Sequence, residues 1–174
     1  MDFAPLWNEA LTFADFVAAA APQHRPLWEG IYRTARVPEW ARTGPREPRK
    51  LIAMVEDWCI DTSSTIPVLA RWAEAVPGLS LRLIRRDEHP AVMDRYLTRG
   101  ARAIPVVIVL GPDHHELAHW GPYPAPLAEW VKEHKPPALP KDEFVKGKRI
   151  WYARDHGETT IRELMEVVLR QQAA

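Results

Sequence analysis

Two uninterrupted apolar runs, Leu51-Ile52-Ala53-Met54-Val55 and Val106-Val107-Ile108-Val109-Leu110, constrain this chain more than any other feature. Each is too short to stand as a helix. Each is also apolar at every position rather than at alternate ones, which is the pattern of a buried strand. Between them, Ile66, Leu69, Ala70 and Ala73 recur at i, i+3, i+4 and i+7, so a helix is predicted directly after the first run, ending before Pro77-Gly78. Leu79 to Ile84 reads as a second strand, and Pro90 to Arg99 as a helix with proline near its start and Gly100 at its end. After the second apolar run, Gly111-Pro112-Asp113 supplies turn chemistry and Glu116 to Trp120 the returning strand of a hairpin. A helix from Ala125 to His134 closes the unit before Lys135-Pro136-Pro137. Right-handed crossovers then give a layered α/β arrangement.

The flanks read as additions to that unit. Pro5 to Ala21 carries Leu6, Ala10, Phe13 and Val17 at a helical period and reads as one amphipathic helix. Pro26 to Val37 gives a shorter one through Leu27, Ile31 and Ala35, before Pro38, Gly44, Pro45 and Pro48 break the chain into a linker. The tail ends in a helix beginning near Thr160, with Thr160 and Glu163 as a capping box and Ile161, Leu164, Met165, Val168 and Leu169 as its apolar stripe. The expected organisation is a single domain with its core at about residues 50–134, a helical extension over 1–49 and a second extension over 135–174.

Composition narrows the partners. Acidic and basic residues balance at 23 each and the arginines are scattered, so nothing favours a nucleic-acid partner. Apolar residues make up 47% of the chain without an unbroken membrane-length run, and no basic region precedes the N-terminal apolar stretch. No membrane association is expected, and a cytoplasmic location is the default. A single cysteine excludes any internal disulfide, so a disulfide here joins two molecules.

That cysteine is the candidate reactive group. The strand ending at Val55 runs through Glu56-Asp57-Trp58-Cys59 into a helix, and a helix N-terminus, with its unpaired N–H groups and positive dipole end, favours thiolate over thiol. Asp57 and Asp61 act the other way, because nearby negative charge raises a thiol pKa. The alternative is a buried core cysteine that only packs.

From Leu51 to His134 the chain resembles thioredoxin. Trp58 immediately precedes the cysteine, Pro67 lies inside the following helix, and Arg86-Asp87-Glu88-His89-Pro90, Tyr96 and Arg102-Ala103-Ile104-Pro105-Val106 resemble the segment leading to that family's cis-proline. The resemblance implies a three-layer α/β sandwich with a central mixed four-stranded sheet, here with two added N-terminal helices and one C-terminal helix. It also implies a cis Ile104–Pro105 bond packed beside Cys59, with the Ile104 backbone open to an extended substrate segment. Trp58, Ile104, Pro105 and Gly121 would then form the substrate-binding surface. Two departures matter. The family's second cysteine falls at Thr62, so the motif is Cys59-Ile60-Asp61-Thr62, and Ala53 stands where thioredoxins carry a buried aspartate.

Cys59 is therefore expected to act, if it acts, as a monothiol, with Thr62 donating a hydroxyl hydrogen bond to the thiolate and an external thiol releasing the product. Equally, Thr62 reads as an ordinary first-turn residue. The expected partners are a protein disulfide or a low-molecular-weight thiol, without a cofactor. The alternative function is a catalytically silent module that binds a peptide or protein in the same groove.

His115-Glu116-Leu117-Ala118-His119 matches the H-E-x-x-H pattern of zinc enzymes. That chemistry needs a continuous helix, and this pentad sits between Gly111-Pro112 and Gly121-Pro122 on an expected hairpin strand, where i and i+4 lie about 13 Å apart. No metal site is expected. The motif around Cys59 also differs from that of the monothiol glutaredoxins that hold iron–sulfur clusters.

Overall fold

In a computed structural model, which describes residues 2–170, strand β1 (Arg49–Val55) lies at the centre of a four-stranded sheet of order β2-β1-β3-β4. It runs parallel to β2 (Leu79–Arg85) and antiparallel to β3 (Val106–Leu110), which pairs in turn with β4 (Glu116–Trp120). The register sets Leu51 between Leu81 and Val109, and Val107 opposite Trp120.

Side chains alternate across a strand, so each apolar run feeds two cores. Leu51, Ala53, Val55, Val107 and Val109 face one side, against Ile66, Leu69 and Trp72 of α4 (Ile60–Ala75). Trp28 of α3 (Arg25–Thr34) and Ile161 and Leu164 of α8 (Glu158–Arg170) complete that layer. Ile52, Met54, Val106, Ile108 and Leu110 face the other side, against Phe3, Leu6, Trp7, Met93 and Tyr96. A helical layer on each face of a mixed sheet is the three-layer α/β sandwich that the sequence implies.

The N-terminal extension departs from the single expected helix. It forms α1 (Ala4–Glu9) and α2 (Phe13–Ala19), broken because Leu11 exchanges two main-chain hydrogen bonds with Leu83 along β2, at 2.9 and 2.8 Å. Thr12 then caps α2 by accepting from the Asp15 N–H at 3.1 Å. At its other end the same segment bridges Asp2 to His115, just before β4, so residues 2–11 cross the whole sheet. With α3, the extension has three helices rather than two.

Other boundaries also shift. The helix expected over Pro90–Arg99 is only α5 (Pro90–Met93): the Arg95 and Tyr96 N–H groups bond back three residues, to Val92 and Met93 at 3.1 and 3.0 Å, in tight turns, and Arg99 and Gly100 then take positive φ of 52° and 79° in the turn that bridges Thr98 to Ala101. The helix α6 spans Ala125–His134 as expected. The C-terminal extension holds two helices, with α7 (Lys141–Asp155) preceding α8. Thr160 and Glu163 lie inside α8, and no capping box forms. Glu163 instead accepts from the Trp120 indole and from the Ala125 N–H, each at 2.7 Å, so it caps the start of α6 and ties α8 to β4. No helix among the described residues is long and apolar enough to cross a membrane.

Candidate functional site

The loop after β1 is held before Cys59 is reached. Glu56 is buried, and its carboxylate accepts from the Asp87 N–H at 2.9 Å and from Arg85 at 3.3 Å. Asp57, also buried, accepts from the Ala21 N–H at 2.7 Å and lies 3.4 Å from the His24 ring, while its carbonyl accepts from the Trp28 indole at 3.0 Å. Two residues of the N-terminal extension, Ala21 and Trp28, thus hold one aspartate of the loop by hydrogen bonds. Trp58 turns outward, 52% exposed, with the Arg86 guanidinium 5.2 Å from its ring centroid.

Cys59 is the N-cap residue of α4, with its sulfur 3.8 Å from the Ile104 carbonyl. Only 9% of the residue is exposed. Burial pushes its thiol pKa up, and the negative charge of Asp61 adds to that, while the main-chain amides of Thr62 and Asp61 pull it down. The rise prevails, against the expectation of a helix-activated thiolate. Thr62 is fully buried, and its hydroxyl donates to the Glu56 carbonyl at 2.6 Å, with the Cys59 carbonyl at 2.8 Å. Its single proton is engaged with the main chain, and toward the sulfur its amide contributes more than its hydroxyl.

Across the sulfur, the Ile104–Pro105 peptide is cis. Gly121 has φ +129° and packs so closely on Pro105 that a Cβ there would overlap the Pro105 carbonyl. Trp58, Cys59, Ile104, Pro105 and Gly121 thus come from three separate loops. The Ile104 N–H donates to no group among the described residues.

Behind the thiol lies a polar cluster that the sequence reading missed. Lys148 of α7 donates to Asp61 at 2.6 Å and the Tyr152 hydroxyl donates to it at 3.1 Å, all three side chains being buried. The Lys148 ammonium also lies 5.5 Å from the Tyr123 ring centroid and 5.3 Å from that of Phe144. Burial raises the Asp61 carboxyl, with Lys148 pulling the other way, and burial together with the Asp61 charge raises both tyrosines. A signal existed. Phe144, Lys148 and Tyr152 recur every four residues on one face of α7, a lysine between two aromatics on an inward stripe.

The H-E-x-x-H pentad lies on β4 and the residue before it. There Glu116 accepts from Tyr96 at 2.7 Å and sits 3.2 Å from the His119 ring, an arrangement of paired side chains on a strand. Among the described residues no group of three or more His, Cys, Asp or Glu is arranged to hold a metal ion.

A family model described as Thioredoxin matches residues 10–135. Two solved structures superpose on the chain along its length. The crystal structure of an HIV epitope scaffold gives a TM-score of 0.75 at 19% identity, covering 100% of both chains. The 1.5 Å crystal structure of a protein of unknown function from Pseudomonas aeruginosa gives 0.75 at 18% identity, covering 100% of this chain and 99% of that one. At those identities the likeness is one of fold. No curated protein matches the chain.

Proposed function

Because this chain belongs to the thioredoxin family, we propose that it works as a thioredoxin-fold binding module, taking an extended peptide or small thiol partner in the groove between Trp58 and the Ile104–Pro105 turn. The observation that carries this reading is the pairing of a buried, proton-holding Cys59 with an unengaged Ile104 N–H in the same groove. An extended segment would satisfy that donor in the manner of an added strand, with Trp58 as an apolar wall.

A second reading, monothiol exchange, is favoured by the Thr62 and Asp61 amides at the sulfur. In it the Cys59 sulfur attacks a disulfide to form a mixed disulfide, its proton passing to the departing thiol. A low-molecular-weight thiol then attacks the mixed disulfide, releases the product and regenerates Cys59.

One experiment separates them: the pH dependence of Cys59 alkylation in the folded protein, run beside an insulin reduction assay. A midpoint at or above the free-cysteine value of about 8.5, with no turnover above the Cys59→Ser background, supports the binding module. A lower midpoint with turnover that Cys59→Ser abolishes overturns it in favour of exchange.

A further inference from the structure

The helices α3, α4 and α7 and the start of α8 line an open cleft of about 900 Å³. That is within the range of about 300–1,000 Å³ typical of small-molecule sites. Its wall follows from helix periodicity. Leu27 and Ile31 lie one turn apart on α3, Ser64 and Val68 one turn apart on α4, and Ala153 faces them from α7. Leu27 is 44% exposed, an apolar side chain left in the open at the edge of the cleft. The Tyr152 hydroxyl is turned away to Asp61, so its ring adds apolar wall.

The ionisable residues lining the cleft are Arg36, Arg149, His156 and Glu158. Neither the Arg36 nor the Arg149 guanidinium has a hydrogen bond, ion pair or ring contact among the described residues. Two unengaged guanidinium groups against one carboxylate leave the lining net positive, above an apolar interior. We propose that this cleft binds a small amphipathic anion, an acyl chain seated between α3, α4 and α7 with its carboxylate held by Arg36 and Arg149. A guanidinium presents paired N–H donors to a carboxylate, and an acyl chain finds apolar wall on Leu27, Ile31, Val68 and the Tyr152 ring. The site shares only Tyr152 with the cluster behind the thiol, and its test does not depend on Cys59.

The test titrates the full chain with decanoate, below its micelle-forming concentration, and separately with decanol, by calorimetry and by amide chemical shifts. Decanoate is expected to bind saturably at one site, shifting the amides of Leu27, Ile31 and Ala153, and to bind about tenfold more tightly than decanol. The Arg36→Gln/Arg149→Gln double variant should remove that tenfold advantage and leave decanol binding unchanged. Ala153→Trp, at an exposed position, should abolish both while leaving the thermal midpoint near that of the wild type. Absence of saturable binding, shifts confined to other residues, or a decanoate advantage that survives loss of both arginines overturns the proposal.

Discussion

The Lys148 ammonium donates to the Asp61 carboxylate at 2.6 Å, joining the third position of Cys59-Ile60-Asp61-Thr62 to a helix 87 positions further along the chain. Removing either charge alone strands the other in a buried setting. Lys148→Met is expected to cost about 3–5 kcal/mol, and Asp61→Asn combined with Lys148→Met to recover much of the loss. Urea denaturation of the two variants checks it. Equal destabilisation in both would show that the cost of losing Lys148 does not come from a stranded Asp61 charge.

The Cys59 thiol is pushed up by burial, so folding favours its protonated form. The sign follows by linkage: the contribution to stability is complete below the unfolded-state value of about 8.5 and is lost as pH rises through the folded-state value. Wild type is expected to lose stability relative to Cys59→Ala between pH 7 and pH 10. Thermal midpoints at a series of pH values report the difference, and a constant gap would contradict it.

Gly121 combines a φ of +129° with close packing on the Pro105 carbonyl. Gly121→Ala must move the Pro105 turn and should destabilise by about 1–3 kcal/mol or more. An unchanged denaturation midpoint in that variant would show that the two loops slide apart freely.

Trp28 holds the Asp57 carbonyl from the N-terminal extension. Trp28→Phe keeps most of the ring but leaves that buried carbonyl unpaired, a cost of about 1–3 kcal/mol. The loosened loop should also alkylate faster at Cys59. Unaltered alkylation would mean that the Ala21 N–H holds Asp57 well enough on its own.

The parts of the fold that the sequence disclosed are those written in local pattern. The runs at Leu51–Val55 and Val106–Leu110, the hairpin after them and α6 needed only side-chain period and turn chemistry. What stayed hidden was decided by distant partners. Leu11 breaks the first helix because it bonds to Leu83, and Glu163 looks like a local cap but serves Trp120 and Ala125. In the site, the strand-to-helix turn marked Cys59 and Trp58. Its proton affinity was illegible because burial, which outweighs the helix terminus, is a property of the packed chain. Lys148 was overlooked for a related reason: a lysine is normally solvated, and only its aromatic neighbours at i±4 hint otherwise.

The segment that crosses one face of the sheet, from Asp2 beside His115 to Leu11 beside Leu83, joins the two edges of the sheet in ten residues of chain. Unsatisfied strand borders are templates on which another molecule can polymerise. A protein relieved of this strap would therefore expose β2 as a docking rail for its own copies. Its first failure would be aggregation at intact secondary structure rather than unfolding.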